Sequence, residues 1–387
     1  MYEINLLKKL VALNTNSATK ENYKECAQLI ANETRKLGMK TKIIDVPAPD
    51  KKPRPNVLAE LDVGAEKTLL LVTHYDIVPV GSGWHTNPLS LTIKNGKAFG
   101  RGVADDKGAI VEALGAVRNI RKSGKKSRFN IKLVCACDEE VGGKYGLRYV
   151  CQRHKKDVKA DLALVIDSGL ENIIVGCSGV IDGKITVKGK AWHAGYPHQA
   201  DNPIYKAITI VEEIRKWGKK IEKRHSELKS PKGSPHRKVW NRLTVTVFKA
   251  GEKANVIPGE AVIEFDYRLL PEQKLSEAKK EIREVIKKIN KKLGINSKLR
   301  ILSEHSGYIT DEHNPIVQEF KKYVTKIFGR KEIVGQLGAM DGTYTAAAGI
   351  PSIGFGPGGG NHHAPDEFIA LKDIRKMKEL IVKFCKG

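Results

Sequence analysis

Hydrophobic and polar positions follow two different rhythms along this chain. Helical spacing marks residues from about 2 to 12 and 20 to 38, the stretch opening near Asp106 in "DDKGAIVEALGAVRNIRKSG", and "GGKYGLRYVCQRH". Between them lie short runs that are apolar almost throughout: "KTKIID", "NVLAEL", "TLLLVT", "FNIKLVCAC" and "ADLALVID". Fully apolar strands alternating with helices predict an α/β fold, a mostly parallel sheet with helices on both faces.

The rhythm changes near Gly179. "VIDGKITVKG", "RLTVTVFKAG", "GEAVIEFDYRLL" and "SKLRILSE" alternate apolar with polar residues, as half-exposed strands do. Two long amphipathic stretches, "NPIYKAITIVEEIRKWGKKIEKRH" and about Leu275 to Leu293, separate them. The order β-α-β-β-α-β predicts a ferredoxin-like inserted domain over residues 179–302, with an antiparallel sheet and helices on one face. Residues 1–178 and 303–387 then form one α/β domain, which resumes with a helix from about Pro315 to Phe328, the strand "IPSIGF" and a last helix from about Leu371. Residues 227–238, "ELKSPKGSPHRK", read as a mobile loop.

Composition narrows the class. At 387 residues the chain is long enough for two cores. It holds no apolar run near the roughly 20 residues of a membrane span. Its start, "MYEINLLKKLVALNTNS", is amphipathic and lacks the features of a signal peptide, so a cytoplasmic protein is expected. Six cysteines (Cys26, Cys135, Cys137, Cys151, Cys177, Cys385) show no metal or redox spacing and read as small buried hydrophobes. Lys and Arg number 68 against 44 Asp and Glu, a formal charge of +24. These lysines lie on polar faces of helical stretches such as "EAKKEIREVIKKINKKLG" and accompany no nucleic-acid-binding motif. A basic nucleic-acid binder remains an alternative carried by charge alone.

The ends of the apolar runs carry the chemistry. "TLLLVT" runs into His74 and Asp76, "IKLVCAC" into Asp138, Glu139 and Glu140, and "LALVID" into Asp167. "IPSIGFGPGGGNHHAPDE" leads through glycines to His362 and His363. Taken singly, each has a plain reading: a surface turn, an acidic pair, or a helix N-cap for Asp105 or Asp106. Taken together, four strands deliver His or carboxylate to the sheet edge where ligands bind in open α/β folds. So many carboxylates at one edge repel one another unless a cation holds them. The donor set, imidazole and carboxylate without thiolate, suits zinc, cobalt or manganese, and its size suggests two divalent metal ions sharing a bridging ligand. Asp76 is placed to accept the other N–H of His74. Of Glu139 and Glu140, one can bind metal while the other serves as general base.

In order, "THYDIVP", "FGRGVADDKG", "DEEVGG", "VIDSG" and "HHAPDE" resemble the motifs of the acetylornithine deacetylase / succinyl-diaminopimelate desuccinylase / aminoacylase / carboxypeptidase G family of dinuclear metallopeptidases. The resemblance implies that His74, Asp105 and Asp167 hold one metal, most simply zinc, and that Asp105, Glu140 and His363 hold the other, with Asp105 bridging. It makes Glu139 the general base and Asp76 the orienter of His74. In the inserted domain, which would form a homodimer, it implies that His193 of "GKAWHAGYPH" reaches the partner's site to stabilise an oxyanion. Asn255 and Arg268 match substrate-binding positions, Arg268 pairing with a carboxylate. A cis peptide is implied at Asp105–Asp106. The substrate implied is an N-acyl amino acid or a short peptide. Asp167 and "ADDKG" look closer to the dipeptidase and carboxypeptidase branches, whereas "MDG" in "GAMDGTY" is similar to the deacylases. A non-catalytic metal-binding or receptor-like protein on the same fold is the remaining alternative.

Overall fold

A computed structural model of the protein describes residues 2–124 and 126–387. The chain divides into two compact units: one comprises residues up to Val175, Thr310–Val334 and Met340–Gly387, the other Gly176–Ile309 and Gly335–Ala339. The sequence pattern puts the divisions a few residues inside those of the structure, at 179 and 302, and gives no sign that the short stretch Gly335–Ala339 belongs to the second unit.

In the first unit the main sheet runs Lys40–Asp45, Pro55–Leu61, Phe129–Ala136, Lys67–His74, Leu162–Val165, Ser352–Gly356, Gly169–Cys177. Its four central strands, Phe129–Ala136 to Ser352–Gly356, pair in parallel, while the flanking pairs are antiparallel. Successive residues of a strand point to opposite faces. Leu69, Leu70, Leu71 and Val72 are all at most 1% exposed, so both faces of the sheet are covered. The helix Lys107–Lys122 lies against Tyr2–Val11 and Leu371–Lys386 and is buried on nearly every side.

Register sets up the site. Lys67–His74 pairs with Phe129–Ala136 so that His74 faces Ala136, and with Leu162–Val165 so that Val72 faces Val165. The chain therefore leaves three neighbouring parallel strands at one level, just before Asp76, Asp138 and Asp167. The fourth, Ser352–Gly356, places Gly354 opposite Val165 and continues toward His363.

The second unit carries an antiparallel sheet in the order Arg242–Ala250, Glu260–Leu269, Gly179–Lys188, Ser297–His305. Its alternate residues, among them Ile181, Ile185, Ile263 and Phe265, share one core with Ile210 and Ile214 of the helix Pro203–Ile221 and Ile282 and Ile286 of Leu275–Leu293. At Gly183 a Cβ would sit 2.2 Å from the Phe265 ring, so only glycine admits that ring to the core. The stretch read as a mobile loop is bounded by paired strands: His225–Lys229 runs antiparallel to Lys238–Trp240. Ser226 and Leu228 face inward there, an alternation too short to stand out among the surrounding charges.

Candidate metal centre

His74 is the last residue of its strand and is 1% exposed. Its Nε2 lies 3.0 Å from Asp105 Oδ1 and 3.9 Å from Asp167 Oδ2. Its Nδ1 lies 3.1 Å from the Asp76 carbonyl oxygen and 3.4 Å from Asp76 Oδ1. Asp76 thus holds the imidazole more through its backbone than through its carboxylate. The carboxylate has other work: its two oxygens accept the backbone N–H groups of Glu139 at 3.1 Å and Glu140 at 3.2 Å. One fully buried residue therefore ties the first histidine to the glutamate pair.

On the far side of Asp105, Oδ2 is 3.0 Å from His363 Nε2, and His363 Nε2 is 3.1 Å from Glu140 Oε2. His74, Glu139 and Asp167 bring one ligand atom each within 4.8 Å of one another, and Asp105, Glu140 and His363 do the same. The adjacent glutamates thus join different groups. Each oxygen of Asp105 faces a different histidine, the disposition a bridging carboxylate needs. Glu140 Oε1 is buried with no hydrogen-bond partner, while Oε2 is the oxygen that faces His363. The residues present fit two divalent cations bound by nitrogen and oxygen.

The titration of the bare cluster reflects the same crowding. Burial, then repulsion from Asp341, Asp167 and Glu140, pushes the Glu139 carboxyl well above its ordinary value, against the pull of His74. Burial raises Asp167 to about 6 and Asp341 to about 7. Burial works against the Asp105 charge too, yet hydrogen bonds from His363 and His74 hold that carboxyl well below the usual range. His363, bonded to Asp105 and Glu140, is raised to about 10.

Local sequence explains how Asp105 is presented. The Asp105–Asp106 peptide bond is cis, as the resemblance implies. Asp106 stands at the N-cap position of the following helix but makes no side-chain cap bond; its Oδ2 accepts the His74 N–H at 3.1 Å instead. The N-cap reading of Asp106 is therefore corrected, because the strand end rather than the helix claims its carboxylate. At Gly108 a Cβ would lie 2.2 Å from the Val103 carbonyl oxygen, which excludes any side chain there. Lys107 is fully buried and donates to the carbonyls of Leu10 at 3.0 Å, in the last turn of the first helix, and Leu13 at 2.7 Å, just beyond it; burial lowers it to about 8.

Sequence reasoning missed Glu367. This fully buried carboxylate accepts the N–H groups of Gly102 (3.0 Å), Ala104 (2.8 Å) and Asp105 (3.1 Å) and a bond from Arg101 Nη1 at 2.8 Å. It locks the His363 loop to the Asp105 loop. Its place in "HAPDE", four residues after His363, was the available signal.

The other expected site residues lie in the second unit. His193 pairs with Val256 across a short antiparallel bridge, its Nδ1 accepts the Gly195 N–H at 3.0 Å, and the Asn255 carbonyl accepts the Ala194 N–H at 2.9 Å. His193 and Asn255 are thus brought together. Arg268 already has a carboxylate partner: Nε and Nη2 bond Asp266 at 2.9 and 2.7 Å. All six cysteines are buried, and none belongs to either ligand group.

Comparison with known proteins identifies the family. The peptidase family M20/M25/M40 matches residues 70–387. An uncharacterized metallohydrolase of Methanocaldococcus jannaschii is 29% identical over 354 residues, 86% of this chain and 84% of that one. A succinyl-diaminopimelate desuccinylase of Pelagibacter ubique is 29% identical over 371 residues, 93% of this chain and 92% of that one. Among solved structures, an M20 family metallo-carboxypeptidase from Sulfolobus solfataricus superposes with a TM-score of 0.82 at 22% identity, covering 100% of this chain and 99% of that one.

Proposed function

Because this chain belongs to peptidase family M20/M25/M40 and is a metal-dependent hydrolase of C–N bonds, we propose that it cleaves the amide bond of an N-acyl amino acid or short peptide at a two-metal centre, with Glu139 as general base. The observation that carries this reading is the position of Asp105, one oxygen 3.0 Å from His74 and the other 3.0 Å from His363. His74 and Asp167 would hold one cation and Glu140 and His363 the other, with Asp105 touching both. Zinc suits the donors, as do cobalt and manganese. When bound, the pair supplies Lewis acidity: it acidifies a water and polarises the scissile carbonyl.

The chain's own groups perform the proton transfers. Glu139, held by its backbone on Asp76, takes the proton from the attacking water. It then gives that proton to the leaving amine nitrogen, so the C–N bond breaks as the amine becomes neutral. Burial, which raises its carboxyl, favours its holding the proton between the two transfers. His193 donates a hydrogen bond to the oxyanion that develops on the carbonyl oxygen. Arg268 contributes to substrate binding through the N–H groups that Asp266 leaves over, favouring an anionic substrate.

We assign His193 to the neighbouring subunit's site in a homodimer formed through the second unit. Two features support that surface: the helix Pro203–Ile221 exposes Tyr205 (71%) and Ile208 (45%), and the edge strand Arg242–Ala250 exposes Phe248 (42%). Sedimentation gives the subunit count. Mixing His193→Ala with Glu139→Ala chains restores part of the activity if the site is shared, and restores none in confirmed mixed dimers if it is not.

The function is tested by screening dipeptides and N-acetyl and N-succinyl amino acids with added zinc or cobalt. Glu139→Ala should keep both metals and lose hydrolysis. Normal turnover by that variant removes the general-base assignment, and no metal-dependent turnover of any amide removes the function.

A further inference from the structure

The turn bearing Glu139 and Glu140 is gripped by a stretch of chain that precedes the residues matched to the family, 70–387. Asp138 opens that turn in the left-handed region, with φ 59°. Its side chain is 2% exposed, and three donors converge on it. Lys20 Nζ reaches Oδ1 at 2.7 Å, the Tyr23 hydroxyl reaches Oδ1 at 3.0 Å, and Arg54 Nε reaches Oδ2 at 2.5 Å.

Each donor is itself held. Lys20 sits at φ 65° and also donates to the Ser17 carbonyl. The Tyr23 ring meets Tyr75 edge-on at 5.3 Å. Arg54 donates to the carbonyls of Lys52 and Pro53 and to Asp50 Oδ2 at 2.7 Å. The carbonyl of Asp138 closes the turn by accepting the N–H groups of Val141 at 3.3 Å and Gly143 at 2.7 Å.

Neutralising one buried carboxylate requires a single cation. Here two cations and a phenol from two separate stretches of chain fix its orientation as well. With the Asp138 carboxylate pinned from the N-terminal side and the Glu139 N–H pinned by Asp76, the peptide plane between them has little freedom. We infer that Lys20, Tyr23 and Arg54, acting through Asp138, are positioning residues for the general base, so that the N-terminal segment is part of the catalytic machinery. The inference rests on Glu139 being that base. A base must be held close to its productive geometry, and small misplacements are costly.

The test uses zinc-loaded full-length protein carrying Tyr23→Phe, Lys20→Met, Arg54→Met or Arg54→Lys. Tyr23→Phe removes one oxygen and leaves the ring in place. The readouts are kcat and KM for the best substrate of the screen, zinc content, and hydrogen exchange of the 139–143 amides. We expect kcat to fall about tenfold or more with KM within about twofold, zinc content unchanged, and exchange faster in the turn. Arg54→Lys should recover part of what Arg54→Met loses. Unchanged kcat in folded variants overturns the inference, and so does zinc content falling in step with kcat, which would make the grip a support for the ligand Glu140. Should Glu139→Ala retain turnover, the base reading fails on its own, and the exchange data still decide whether the turn is held from the N-terminal segment.

Discussion

Asp76→Asn tests the site with a change of one atom. The native carboxylate gives one oxygen to the Glu139 N–H at 3.1 Å and the other to the Glu140 N–H at 3.2 Å, and it is 0% exposed. Asparagine offers one oxygen and one NH2, so one backbone N–H loses its acceptor and faces a donor. A hydrogen bond to a charged group contributes roughly 1.5–3 kcal/mol, and a buried donor left unpaired costs a similar amount. Groups that orient metal ligands typically change activity by about 10–100-fold when altered, equivalent to about 1.4–2.7 kcal/mol. The expected result is a fall in kcat of that size. Metal occupancy should fall less, because His74 Nδ1 keeps the Asp76 carbonyl at 3.1 Å. Steady-state kinetics and elemental analysis on the same preparation measure both. Turnover within about twofold of the parent at full metal content would refute the claim that this carboxylate holds the glutamate turn.

Two further outcomes follow from the titrating groups. In the metal-free protein His363 is raised to about 10, so its bonds to Asp105 and Glu140 stabilise the fold fully below about pH 6.5 and are lost as pH climbs toward 10. Zinc must displace that proton at neutral pH; calorimetry in buffers of different ionisation enthalpy should register proton release and an affinity that rises with pH, and binding without proton release would contradict it. Glu112 is fully buried with both carboxylate oxygens unpartnered, and burial raises it well above its ordinary value, so the folded state loses stability as pH rises past about 4.5. Glu112→Leu should raise the melting temperature at pH 8 more than at pH 5, and an equal shift at both would show that its charge is not the cause.

The parts legible in the sequence are those written in neighbouring residues. His74 and Asp167 each close a continuous apolar run, so strand and candidate ligand announce one another. The alternation in "GEAVIEFDYRLL" shows the half-exposed sheet of the second unit because its buried residues fall at every second position. What stayed hidden depends on contacts between distant stretches. Asp138 meets Lys20, Tyr23 and Arg54 across 118, 115 and 84 positions, and Glu367 meets Asp105 across 262. No periodicity encodes such pairs. Glu112 is hidden for another reason: its helix is covered on nearly all sides, so a charge that would mark a solvent face elsewhere is enclosed here. The three-stranded sheet of Thr92–Lys94, Lys97–Phe99 and Phe368–Ala370 joins strands of three residues, too short to carry a rhythm.

The most direct test is anomalous diffraction at the zinc edge from crystals of the zinc-loaded protein. The account predicts two peaks per chain, about 3.5–4 Å apart. One should lie against His74 and Asp167, the other against Glu140 and His363, with an oxygen of Asp105 on each. A single peak, or two peaks that Asp105 does not join, would contradict it.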